Sequence, residues 1–335
     1  MPNNAVLILG MHRSGTSALS GMAGLLGITP GDILLPAVED VNPKGFWEHA
    51  EIVSIHNQLL EAFDSSWDDD RLLPEEWWHT PIAAHFRTML LTVLRRDFGD
   101  QSIWLVKDPR LCRLLPLWLD IIDELNCLPL FLITLRNPAE VAHSLRVRDN
   151  LPEAQSCLLW LIHMLEAELL TRGRPRAFVA YNQLLNNWHE TAATIEQTLS
   201  FNWPVPIEQA APAIDSFLDP SLRHHSGDIL LPDHPACFFA QKTYEILALS
   251  KPDLAKLDQI YLQVRNLQNL VAPWSEKMQK SERENQYLRM DIASMKLEMT
   301  QLRMEITRIK STLSWQITKP IRLLWNLLRR IQGKQ

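Results

Sequence analysis

The sequence predicts an α/β fold, a central parallel sheet with helices on both faces, followed by a coiled coil and a basic amphipathic helix. Three observations carry this. Short apolar runs end in polar residues and alternate with stretches of helical periodicity. A glycine-bearing turn joins the first run to its helix. From about Ser275 onward, apolar residues recur at alternating steps of four and three.

The elements follow in order. Residues 5–9 are short, apolar and ended by Gly10, the pattern of a strand buried on both faces. Helical spacing runs from about Thr16 to Leu26. Ile103–Val106, Leu130–Leu135 and Ala177–Ala180 predict three more buried strands, ending in Lys107-Asp108-Pro109, Arg136-Asn137-Pro138 and Tyr181. In parallel α/β sheets ligands bind beyond the carboxyl ends of the strands, where these polar residues fall. The Trp-, Asp- and Pro-rich stretch 64–81 and the Pro- and His-bearing stretch 201–240 are expected to be irregular. Leu288, Ile292, Met295, Met299, Leu302, Ile306, Ile309 and Leu313 form a heptad seam. A break is expected over Ser311–Trp315, with a new helix starting at Pro320. The boundaries predicted are a catalytic domain over 1–270, a coiled coil over 275–313 and a tail over 314–335.

Composition narrows the classes of function. The 335 residues are 46% hydrophobic and 21% charged, ordinary for a globular protein. A net charge of −6 gives no support to nucleic-acid binding. After Glu305 there is no acidic residue, while seven Lys and Arg follow, from Arg308 to Lys334. Four dispersed cysteines, with no zinc-like spacing, read as reduced thiols of a cytosolic protein. With no leader pattern and no long apolar run, a cytoplasmic location is expected. Neither adjacent His224 and His225 nor the run Asp68-Asp69-Asp70 reads as a metal site, so no metal is expected.

Gly10-Met11-His12-Arg13-Ser14-Gly15-Thr16-Ser17 follows a buried strand and opens a helix. Glycines there let backbone N–H groups wrap an anion, and the helix end adds a positive dipole. The turn is P-loop NTPase-like, yet Thr16 stands where a P-loop has lysine. Arg13 supplies the charge instead, which suits a smaller anion better than magnesium-bound ATP.

These residues resemble the 5′-phosphosulfate loop of sulfotransferases that use 3′-phosphoadenosine 5′-phosphosulfate (PAPS). Leu135-Arg136-Asn137-Pro138 through Ser144 is similar to that family's 3′-phosphate motif, an arginine at a strand end and a serine eight residues on. Tyr181-Asn182-Gln183-Leu184 resembles its Tyr-Glu-x-Leu segment, with Asn182 where glutamate is usual. The resemblance covers roughly residues 5–225. It implies PAPS as co-substrate, held by Arg13, Ser14, Gly15, Thr16, Ser17, Arg136, Ser144 and Tyr181, with Arg223 reaching back to the nucleotide. The Gly-rich late loop of animal members is missing.

Transfer to an alcohol needs a cation at the leaving oxygen and a base at the acceptor. Lys107, closing a buried strand, resembles the family's lysine at the bridging oxygen. Glu48 in Asn42-Pro43-Lys44-Gly45-Phe46-Trp47-Glu48-His49 is one candidate base, since burial beside Phe46 and Trp47 would raise its pKa. His49, which ordinarily titrates near neutrality, is the other.

The last helix is basic on one side and carries Ile321, Leu324, Trp325, Leu328 and Ile331 on another, a pattern for contact with an anionic membrane face. Ser314-Trp315-Gln316-Ile317-Thr318-Lys319-Pro320-Ile321-Arg322 resembles a tail of some bacterial glycan-assembly enzymes, which implies a glycan or lipid-linked sugar as hydroxyl acceptor. The heptads predict self-association. Two other functions stay open: a small-molecule kinase on the same fold, with Asp108 as its magnesium carboxylate, and a non-catalytic protein tethered at a membrane.

Overall fold

The computed structural model describes residues 3–38, 44–218 and 229–332. The chain divides into two units, Met1–Asn269 and Leu270–Gln335. The first opens with β1 (Asn4–Leu9), α1 (Thr16–Leu25), α2 (Ala50–Ala62) and α3 (Pro81–Phe98). Next come β2 (Ile103–Lys107), α4 (Leu111–Glu124), β3 (Leu128–Leu135), α5 (Pro138–Asp149) and α6 (Glu153–Leu170). It continues through β4 (Arg176–Ala180), α7 (Tyr181–Asn186), α8 (Trp188–Leu199), α9 (Ile207–Phe217) and α10 (Pro235–Leu247).

All four strands are parallel, in the order β2-β1-β3-β4. β1 lies between β2 and β3, with Asn4 opposite both Ile103 and Leu128. Its side chains sort by the period of two that a pleated strand imposes. Ala5, Leu7 and Leu9 join one core with α2 to α6 and α10, while Val6 and Ile8 join a second with α1, α7, α8 and α9. Both faces are therefore covered, and the strands read as unbroken apolar runs.

The stretch 201–240 departs from the irregular structure expected of it. α9 occupies Ile207–Phe217 despite Pro212 in its interior, and α10 starts at Pro235. Ala210 and Ile214, one turn apart, bury themselves in the second core, and this packing outweighs the hydrogen bond the proline removes. Residues 64–81 carry only a single 3-10 turn, Trp77–His79.

α11 spans Leu254–Ser311 as one helix. Within the second unit its heptad side chains from Leu288 to Ile309 are exposed. At the expected break Thr312 caps a short α12 (Leu313–Ile317), accepting the Trp315 N–H. α13 (Lys319–Gln332) follows, with Pro320 in its first turn, where a missing N–H costs nothing. Ile321, Leu324, Trp325 and Leu328 are exposed along it, and the Arg322 guanidinium sits 3.7 Å from the Trp315 ring centroid. Among the described residues no helix is long and apolar enough to cross a membrane.

Candidate active site

The turn after β1 needs both of its glycines. Gly10 and Gly15 have φ of 145° and 91°. A Cβ on Gly10 would lie 2.0 Å from Thr134 Oγ1, and one on Gly15 would lie 2.1 Å from the Tyr181 ring. Arg13 also takes a left-handed conformation, φ 68°. The Gly10 N–H is already taken, donating to Cys112 Sγ at 3.1 Å. α1 then begins at Thr16 with no side-chain cap and no acidic residue in its first turn. Its leading N–H groups and positive dipole end thus suit an anion.

Two arginines tie this turn to the end of β3 and to α5. Arg13 Nε donates to Ser144 Oγ at 2.8 Å, and Arg136 Nη1 donates to the Arg13 carbonyl at 2.8 Å. Arg136 also pairs with Glu140 at 2.9 Å, one turn into α5, and lies 4.5 Å from the Tyr181 ring centroid. Burial, then the charges of Arg148 and Arg136, lower the Arg13 pKa from its ordinary value. A bound anion would relieve that like-charge crowding.

Across the turn, Lys107 closes β2. Its ammonium donates to Ser17 Oγ and the Phe46 carbonyl, both at 3.1 Å, and to Glu48 Oε1. Both charges are buried. Burial raises the Glu48 pKa against the opposing pull of Lys107. Trp47 just before it has φ 56°, held by its indole N–H on the Lys44 carbonyl (3.0 Å) and by the Ser20 hydroxyl on its own carbonyl (3.3 Å). This left-handed residue turns the chain so that Glu48 faces Lys107.

His49 is otherwise engaged. It caps α2, its Nδ1 accepting the Ile52 N–H at 3.4 Å, while Nε2 pairs with Asp97 at 3.0 Å. Behind Lys107, Asp108 is fully buried. Its Oδ2 accepts from His56 Nδ1 (2.7 Å), whose Nε2 accepts from the Trp118 indole (2.9 Å). Its Oδ1 accepts from the Arg110 backbone N–H and Nη1, each at 2.9 Å. Burial opposes ionisation here, but the Arg110 charge and the His56 hydrogen bond hold this carboxyl well below the usual carboxylate range. Both oxygens accept hydrogen bonds, and Asp108 is not among the residues that line the cavity.

These groups surround one cavity of about 400 Å³. Arg13, Gly15, Thr16, Ser17, Glu48, Lys107, Arg136, Ser144 and Tyr181 all line it. Ser14, buried with its hydroxyl unpartnered among the described residues, and His49 are not among the lining. Arg223 lies outside the described residues, as do Asn42 and Pro43. The sequence reading passed over Trp67, Arg110 and Arg148, which also line the cavity. A signal for Arg148 was present, since it follows Ser144 by one helical turn and so shares its face of α5. Among the described residues no group of three or more His, Cys, Asp or Glu could hold a metal ion.

The fold defines a parallel α/β protein with a glycine-bearing turn at the head of its first helix. Three of the solved structures to which it is similar in backbone follow. One is the sulfotransferase domain of the olefin synthase of Synechococcus PCC 7002, 18% identical over 75% of this chain and 96% of that one, TM-score 0.45. The second is the sulfotransferase domain of the curacin biosynthetic pathway, 14% identical over 75% and 99%, TM-score 0.44. The third is a sulfotransferase of Mycobacterium tuberculosis H37Rv, 12% identical over 73% and 77%, TM-score 0.41. No family model matches the chain. No curated protein matches it either.

Proposed function

We propose that the protein is a sulfotransferase moving a sulfuryl group from PAPS to a hydroxyl acceptor. One observation carries the reading. The turn 10–17 and the 136–144 segment, each suited to an anion, meet through Arg13, Arg136 and Ser144 at a cavity that also holds a buried acid–cation pair. A nucleotide with phosphates at both ends would occupy this cavity. Uncapped N–H groups of α1 and the Ser17 hydroxyl serve one end, and Arg136 with Ser144 serves the other. The lack of a Cβ at Gly15 leaves room for the Tyr181 ring against the turn.

PAPS supplies an activated sulfuryl group on a phosphate leaving oxygen. Glu48 takes the acceptor's hydroxyl proton as the acceptor oxygen bonds to sulfur. The sulfur–oxygen bond to the phosphate breaks, and its electron pair stays on the phosphate. Once Glu48 is protonated it holds Lys107 less strongly, so the ammonium is released toward the charge developing on that phosphate. Glu48 is favoured over His49 as base because His49 is engaged at both ring nitrogens.

The tail's resemblance supports a glycan or lipid-linked sugar as acceptor. The exposed heptad seam supports self-association, and the exposed apolar side of α13 beside Lys319, Arg322 and Arg329 supports peripheral contact with an anionic membrane on the cytoplasmic side. Calorimetry with adenosine 3′,5′-bisphosphate tests the nucleotide site, and Arg136→Ala is expected to weaken binding by ~1–3 kcal/mol. Transfer of radiolabel from PAPS to extracted glycans tests the activity. Nucleotide binding without transfer to any extract fraction would favour the non-catalytic tethered protein.

A further inference from the structure

The cavity carries more positive charge than the nucleotide reading uses. Among the described residues six cationic side chains line it (Arg13, Lys44, Lys107, Arg110, Arg136 and Arg148), against two carboxylates, Glu48 and Asp149. Arg13 and Arg136 belong to the proposed nucleotide grip, Lys107 pairs with Glu48, and Lys44 reaches the Ser216 carbonyl at 3.0 Å. Arg110 and Arg148 remain, Arg110 with its Nη1 on buried Asp108 at 2.9 Å and its Nε outside that pair.

Both belong to one cluster with His12 and Trp67. Arg148 lies 5.5 Å from the Trp67 ring centroid, and Trp67 lies 4.6 Å from the His12 ring. Arg110 is 9% exposed, and its Nε, like His12 Nε2, is buried with no hydrogen-bond partner among the described residues. A buried donor left unpaired is costly, and more so when it is charged. Burial, then the charges of Arg110 and Arg148, hold His12 well below its ordinary pKa, so it stays neutral and can donate or accept. Arg148 shares its charge with Asp149 at 2.6 Å, and both are partly exposed at the rim. The Arg110 charge acts on Glu48 as well as on His12, and the Arg148 charge on Arg13, so the cluster borders both the proposed base and the turn 10–17.

Resting on that placement of nucleotide and base, we propose that His12, Arg110 and Arg148 form an acceptor subsite selecting alcohols that bear an oxyanion, a carboxylate or a phosphate ester. The unpaired Nε and Nε2 would close on the oxyanion, and Arg148 would add the forked charge that such groups match. The hydroxyl to be sulfated would then be presented to Glu48.

The test uses the full chain saturated with adenosine 3′,5′-bisphosphate. Three methyl glucosides that differ only at carbon 6 (hydroxymethyl, carboxylate or phosphate ester) are titrated by ligand-observed NMR. At least one charged glucoside is expected to bind ten or more times tighter than the neutral one, and the two charged arms tell carboxylate from phosphate. Arg148→Gln, a rim variant whose folding is checked by thermal unfolding, is expected to reduce that preference at least threefold. Arg110→Lys, which keeps a charge but lacks Nε, is expected to reduce it too. Equal binding of all three glucosides, or binding of none, overturns the proposal. So does an Arg148→Gln protein that loses affinity for the bisphosphate while keeping its preference among glucosides. If the wild-type chain does not bind the bisphosphate at all, the nucleotide reading fails instead.

Discussion

Arg13 donates to Ser144 at 2.8 Å across 131 residues of sequence, fastening the turn after β1 to the middle of α5. Ser144→Ala removes the acceptor from a partly buried guanidinium and a hydroxyl from the proposed phosphate site. Affinity for adenosine 3′,5′-bisphosphate is expected to fall about tenfold or more, the range of hydrogen bonds to charged groups. Calorimetry reads this directly, and unaltered affinity would sever the link between the two segments.

The Glu48–Lys107 pair makes a sharper prediction about stability. Lys107→Met strands a carboxyl in a buried site and should cost about 3–5 kcal/mol in urea unfolding. The double variant Glu48→Gln, Lys107→Met should recover much of that loss and still show no transfer. A double variant as unstable as the two single losses combined would mean that the pair is not coupled.

His163 sets an acid limit. Burial, then the Arg113 charge, push this histidine down to about 3, and its Nδ1 N–H donates to the Leu159 carbonyl at 2.7 Å. The unfolded chain takes up a proton near 6.5, whereas the folded chain refuses it until far lower pH. Acidification through this window therefore favours unfolding, by about 2 kcal/mol between pH 7 and 5 from this group alone. His163→Gln, which retains a donor, should flatten that part of the stability profile.

Gly15 is predicted to resist substitution for two separable reasons. Alanine there meets a φ of 91° and the Tyr181 ring at 2.1 Å. The backbone part alone is expected to cost about 1–3 kcal/mol. Adding Tyr181→Ala should return the ring's share and leave the backbone's. Full recovery in the double variant would show that the left-handed conformation is not required.

The four strands could be read from sequence because a parallel strand covered on both faces leaves a continuous apolar run, and the turn after β1 because its glycines are spaced along the chain. α9 was hidden, since Pro212 speaks against a helix locally and only its packing on the sheet overrules it. The roles of His49, Asp108 and Arg110 were hidden for a different reason. His49 pairs with Asp97, and Asp108 with both His56 and Arg110, and no local pattern announces which buried polar groups will meet. Glu48 and Lys107 stand 59 residues apart and came to attention through resemblance, not through any periodicity.

Among the described strands β1 is made before its partners, and it lies inside the sheet. β1 cannot complete either ladder until residues 103–107 and 128–135 exist. At the usual pace of translation that is a wait of roughly 5–20 s for the nearer neighbour. During it Val6, Leu7, Ile8 and Leu9 have no sheet to enter, and a nascent chain in this state is a natural client for a ribosome-bound chaperone. Expression at lower temperature, or with such a chaperone in excess, should therefore raise the yield of folded protein more than any change made to the tail.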